Sequence, residues 1–93
     1  MSERGQVRTR VLEVKGKSGF HLRPVSMLVQ VASKYDSEIT VRKDNISVGA
    51  GSVMELLLLG AQQGDRLEVT ACGADSAEAL DAIERLFRDL RDE

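Results

Sequence analysis

The sequence predicts an α+β domain in which helices pack on one face of an antiparallel or mixed sheet. Three observations lead there. Segments with alternating apolar residues are interleaved with segments whose apolar residues recur every three or four positions, in the order β-α-β-β-α-β-α. Two of the β-rich runs are separated only by Asp44 and Asn45, turn-forming residues that suit a tight hairpin. Finally, 93 residues with 42% apolar content suffice for one core, and with aromatics limited to Phe20, Tyr35 and Phe87 that core must be aliphatic. Residues 1–93 are therefore one domain, with residues 1–6 a loose polar tail.

Residues 7–15 are rich in β-branched side chains and form the first strand. Val7, Thr9 and Val11 face one way, while Leu12 and Val14 fall out of phase, which marks a bulge or a misread face. A loop from Gly16 to Gly19 follows. Val25, Leu28, Val29 and Ala32 then define one face of a helix over residues 22–34, with Lys34 in its last turn. Ile39 and Val41 mark strand two over residues 38–42. Residues 46–48 form a short third strand, broken by Gly49, Ala50 and Gly51.

Ser52 and Glu55, three residues apart ahead of an apolar run, have capping-box spacing. The helix they open, residues 53–59, is too apolar to bury every side: Val53, Met54 and Leu56 to Leu59 cannot share one stripe, so some are covered by another element or exposed for binding. Gly60 ends it, and residues 63–65 form a turn. In the fourth strand, residues 66–72, Leu67, Val69 and Ala71 face the core. Asp75 caps the third helix, with Glu78 at the Asp-x-x-Glu spacing. That helix, residues 76–90, carries the stripe Leu80, Ile83, Leu86, Phe87 and Leu90, and its outer face offers the pairs Asp81–Arg85 and Glu84–Arg88.

The chemistry concentrates in one stretch, Ser18 to Val25, which holds the only histidine and the only proline. Gly19 permits a sharp bend, and Pro24 suits a first helical turn, where a missing N–H costs nothing. His21 is thereby placed at the N-cap, with Leu22, Arg23 and Pro24 as the first turn. The unpaired N–H groups and positive dipole end of that turn disfavour a protonated imidazole and favour an anion. Arg23 adds a donor fork matched to phosphate oxygens. A histidine that accepts a phosphoryl group would need these parts, although His-X-Arg-Pro taken alone reads more readily as the cap of an ordinary surface helix.

Composition removes several classes of function. A net charge of −2 and few aromatics argue against nucleic acid as a partner. One histidine and one cysteine argue against a zinc site, and Cys72 reads as a reduced strand residue. No apolar run has signal-peptide or membrane-spanning length, so the expected location is the cytoplasm. No second base or carboxylate pair accompanies His21, which argues against an enzyme. Nothing demands more than a monomer.

Several segments together resemble HPr, the histidine-containing phosphocarrier family of the bacterial phosphoenolpyruvate-dependent sugar phosphotransferase system. Gly19-Phe20-His21-Leu22-Arg23-Pro24 is similar to the family's phosphorylation segment. Residues 29–35 resemble the end of its first helix. Ser52, Val53, Met54, Leu57, Leu59 and Gly60 resemble its second, and Gly64-Asp65 and Gly73-Ala74-Asp75 complete a likeness that spans residues 7–90 without insertion. The resemblance implies an open-faced β-sandwich: a four-stranded antiparallel sheet with three helices on one face. It implies that enzyme I, charged by phosphoenolpyruvate, phosphorylates His21 at the pros ring nitrogen. Arg23, Ser18 and Leu22 would hold the phosphoryl group. Phe20, Val53, Met54 and Leu57 would dock enzyme I and the sugar-specific enzyme IIA acceptors, with no cofactor on the carrier itself.

The family also implies a regulatory phosphosite at Ser52 for an HPr kinase/phosphorylase. This chain departs from the family pattern there, with Gly49, Gly51 and Glu55 where Asn, Lys and Gly are usual. The Glu55 carboxylate would repel a phosphate, so Ser52 reads first as a structural cap. Leu22 stands where alanine is common, a mild change. Two other readings remain: a regulatory carrier whose phosphorylation state signals nitrogen or carbon status without moving sugar, and a small interaction or ligand-binding domain without phosphoryl chemistry.

Overall fold

In the computed structural model, which describes residues 6–90, the elements run β1 (Val7–Glu13), α1 (Leu22–Ala32), β2 (Glu38–Lys43), β3 (Ile46–Gly49), α2 (Val53–Leu58), β4 (Arg66–Cys72) and α3 (Ser76–Asp89). The strands form one sheet in the order β1-β4-β2-β3, and every neighbouring pair is antiparallel. The helices cover one face and leave the other open. Leu12, Ile39, Val41, Leu67, Val69 and Ala71 meet Val25, Leu28, Leu56, Leu80 and Ile83 in a single aliphatic core. This is the open-faced sandwich that the resemblance implied.

Strand β4 shows why the order works. Its buried residues alternate with half-buried ones, as one covered face requires, and it sits between β1 and β2. The hairpin between β2 and β3 uses the two residues expected, and Asp44 takes a positive φ of 55°. Asp is among the side chains that tolerate this region. On the open face Thr9 and Thr70 hydrogen-bond across strands at 2.9 Å, and Arg42 pairs with Glu68 at 3.5 Å.

Several expectations need correction. The phase shift in β1 is a misread face, since pairing runs unbroken from Val7↔Cys72 to Glu13↔Arg66. Val7 and Val11 are exposed, while Leu12 and Val14 face the core. Helix α1 stops at Ala32 because Ser33 bonds back to the Gln30 carbonyl at 2.7 Å and Lys34 N–H reaches only to Val31. Lys34 therefore lies beyond the last turn. Gly49 remains in β3, opposite Thr40, rather than breaking it. Gln6 is not loose tail, because its carbonyl accepts the Gly73 N–H at 2.9 Å; residues 1–5 lie outside the described residues. On α3, Asp81 and Glu84 pair with Arg10 of β1 at 2.7 and 2.8 Å, a partner that helical spacing alone does not suggest.

Asp75 occupies the N-cap of α3, yet its side chain does not cap that helix. Its carboxylate instead accepts hydrogen bonds from the N–H groups of Asp36 and Ser37, at 2.8 and 2.9 Å, and from the Ser37 hydroxyl. These bonds hold its carboxyl below the usual carboxylate range, the Ser37 hydroxyl contributing most.

Candidate functional site

The loop before α1 is set by close backbone packing. Gly19 has φ +74°, and a Cβ there would stand 2.9 Å from the Ala61 carbonyl oxygen. That same oxygen accepts the Phe20 N–H at 3.0 Å. The segment following α2 thus braces the loop that leads to His21. Gly60, with φ +63°, turns the chain out of α2 toward this brace.

His21 is the N-cap of α1, with an extended backbone at φ −97° and ψ −169°, and its carbonyl accepts the first helical bond from Val25 at 3.0 Å. Its imidazole is half-buried and does not bond to the helix end. Nε2 is closed off from solvent without a hydrogen-bond partner. Ser76 Oγ, at the start of α3, is the other buried side-chain polar atom without a partner among the described residues, and each such atom calls for an explanation. The helix lacks an acidic residue in its first turn, so nothing there competes with an anion for its N–H groups.

Leu22 and Arg23 are exposed beside His21, and Ser18 is exposed in the loop, next to Gln62 and Gln63. Phe20 departs from its expected docking role. It is 6% exposed, and its ring packs 5.9 Å from that of Phe87. An apolar residue following a glycine at a positive φ turns inward here, because Pro24 and Leu90 wall a small apolar space beneath the loop.

Helix α2 divides its apolar residues as one short helix must. Leu56 and Leu59 are buried, Val53 and Leu57 are half-buried, and Met54 and Leu58 are 71% and 75% exposed. Leu58 was not among the expected docking residues; its spacing of four from Met54 is the signal that places it on the same side. The apolar surface of α2 is therefore Met54 and Leu58, flanked by Val53 and Leu57, and Leu22 at the start of α1 is a further exposed apolar side chain. Ser52 caps α2, its hydroxyl accepting the Glu55 N–H at 3.2 Å.

The family model described as the PTS HPr component phosphorylation site matches residues 8–89. The chain belongs to the HPr family. It is 39% identical over 84 residues to the phosphocarrier protein HPr of Treponema pallidum, covering 90% of this chain and 96% of that protein. It is 34% identical over 85 residues to the phosphocarrier protein NPr of Proteus mirabilis, covering 90% and 94%. Among solved structures, HPr-C-His from Thermoanaerobacter tengcongensis superposes with a TM-score of 0.86 at 39% identity, covering 90% of this chain and 94% of that one. As an HPr-family protein the chain is a phosphocarrier of the phosphotransferase system, not a catalyst. Among the described residues no group of three or more His, Cys, Asp or Glu could hold a metal ion. No described helix is long and apolar enough to cross a membrane.

Proposed function

We propose that His21 accepts a phosphoryl group from enzyme I and passes it to enzyme IIA acceptors in sugar uptake, in the cytoplasm and as a monomer. The observation that carries this reading is the state of the imidazole. Nε2 is buried and unpartnered, and the half-buried ring sits at the helix start; we take the other nitrogen, Nδ1, the pros nitrogen, as the one that accepts the phosphoryl group. In the transfer the Nδ1 lone pair forms a bond to phosphorus as the bond from phosphorus to its donor atom on enzyme I breaks, while Nε2 keeps its proton. The product is a phosphoramidate whose negative oxygens lie at the first turn of α1, against the N–H groups of Leu22 and Arg23 and the Arg23 side chain. Ser18 lies at the loop edge of the same site. Onward transfer is the reverse step, with the acceptor as nucleophile.

Met54 and Leu58, with Val53, Leu57 and Leu22, supply the surface on which enzyme I and the acceptors dock. Its apolar, Met-containing character suits a carrier that meets several partners. Ser52 serves as a cap, and an HPr kinase/phosphorylase would have to break its bond to Glu55 to use it. A regulatory branch is the second reading, favoured by the likeness to NPr.

The test is incubation with phosphoenolpyruvate, magnesium and enzyme I, read by intact mass. One added phosphate, lost in acid and stable in base, is expected. Absence of label with the organism's own enzyme I, alongside a competent control carrier, would overturn the reading. Transfer onward to a sugar-specific acceptor separates uptake from the regulatory branch.

A further inference from the structure

We propose that the cleft between the end of β1, the start of β4 and the last turns of α3 binds a small phosphate-type anion of two or more charges, away from His21. The cleft encloses about 420 Å³ and is floored by Leu12 and Phe87. Lys15 from the loop after β1, Arg66 from β4 and Arg88 from α3 line it. Elsewhere on this net acidic chain the cations Arg10, Arg42 and Lys43 pair with carboxylates. Lys15, Arg66 and Arg88 make no side-chain ion pair among the described residues.

Two carboxylates also line the cleft, and they do not cancel these cations. Glu84 is bonded to Arg10 at 2.8 Å. Glu13 stands opposite Arg66 in the sheet register, yet the two form no ion pair within 4.0 Å. The surplus of unpaired positive charge therefore exceeds what one carboxylate can satisfy. An open, solvated cleft with such a surplus attracts a compact multivalent anion, and two arginines give it the fork geometry that phosphate oxygens accept. Inorganic phosphate and phosphorylated metabolites share this chemistry. The site is independent of the role given to His21.

Amide NMR titration at fixed, low ionic strength tests it, with inorganic phosphate, pyrophosphate and glycerol phosphate as probes and chloride as the control. Saturable shifts at Leu12, Lys15, Arg66, Phe87 and Arg88 are expected. The double variant Arg66→Gln, Arg88→Gln should weaken binding about tenfold or more, as loss of charge-assisted bonds does. His21→Ala should leave cleft binding unchanged. Tighter binding of glycerol phosphate than of inorganic phosphate would point to a metabolite as occupant, and the reverse order to the free ion; both uphold the site. Shifts confined to residues 21–25, shifts that chloride reproduces, or binding that survives the double variant would overturn it.

Discussion

The carboxylate of Asp75 holds Ser37, accepting both its backbone N–H, at 2.9 Å, and its hydroxyl, across 38 residues of sequence. The bond joins the turn before β2 to the turn before α3. It is reinforced by Gly73, where a Cβ would come within 2.8 Å of the Ser37 Cα. These two turns meet at the end of the molecule where β2 and β4 pair, Glu38 lying opposite Cys72.

Because the Asp75 carboxyl is held below its ordinary value, its contribution has a definite sign. The folded state binds this proton less readily than the unfolded chain, so the stabilisation is present above the unfolded value and is lost as pH falls through the folded one. Asp75→Asn should lower the urea midpoint at pH 7, and the gap to the parent protein should narrow as pH is taken below about 4. A gap that stays constant with pH would show that the charge is not what Ser37 recognises.

Gly19→Ala should damage both the fold and the carrier. The added methyl meets the Ala61 carbonyl at 2.9 Å in a backbone conformation with φ +74°. Substitution at an incompatible φ costs about 1 kcal/mol or more. Denaturant unfolding should show that loss, and the rate of phosphoryl uptake should fall because the loop carrying His21 shifts. Gly64→Ala shares the positive φ, at 93°, but meets no neighbouring atom, so it controls for backbone strain alone.

His21→Ala should fold with stability within about 0.5 kcal/mol of the parent, the usual range for a change that removes no buried contact of consequence. Its imidazole does not cap α1, and its loss removes one unpartnered buried nitrogen. Acceptor activity should vanish. Acid-labile label on this variant, read by intact mass, would place the phosphoryl group elsewhere.

Met54→Asp probes the proposed docking surface. Met54 is 71% exposed, so the unfolding midpoint should move little. The steady-state KM of enzyme I for the carrier should rise several-fold, since a charge must then be desolvated in an apolar contact. Phe20→Leu gives the contrast: its ring is buried against Phe87, so the change should cost stability and leave docking largely intact.

Local patterns were legible in the sequence wherever one residue's neighbours along the chain decide its environment. The alternation of Leu67, Val69 and Ala71, the stripe from Leu80 to Leu90, the cap at Ser52 and the N-cap position of His21 all follow from periods of two or 3.6 residues and from unpaired helix-end groups. The match of the phosphorylation segment to its family was legible for the same reason, because its parts are contiguous. Phe20, Arg10 and Asp75 were not legible in this way. Each has a partner more than 35 residues distant: Phe87, Glu84 and Ser37.

By itself the sequence determined the order of elements, the aliphatic core and the histidine at a helix start. Only the tertiary structure decided which face of β1 turns inward, that Phe20 belongs to the core while Leu58 belongs to the surface, and that Asp75 clamps a distant turn instead of its own helix. The physical reason is that periodicity says which residues share a face but not what covers that face. A carboxylate, an arginine or a phenyl ring goes to whichever partner packing brings within reach.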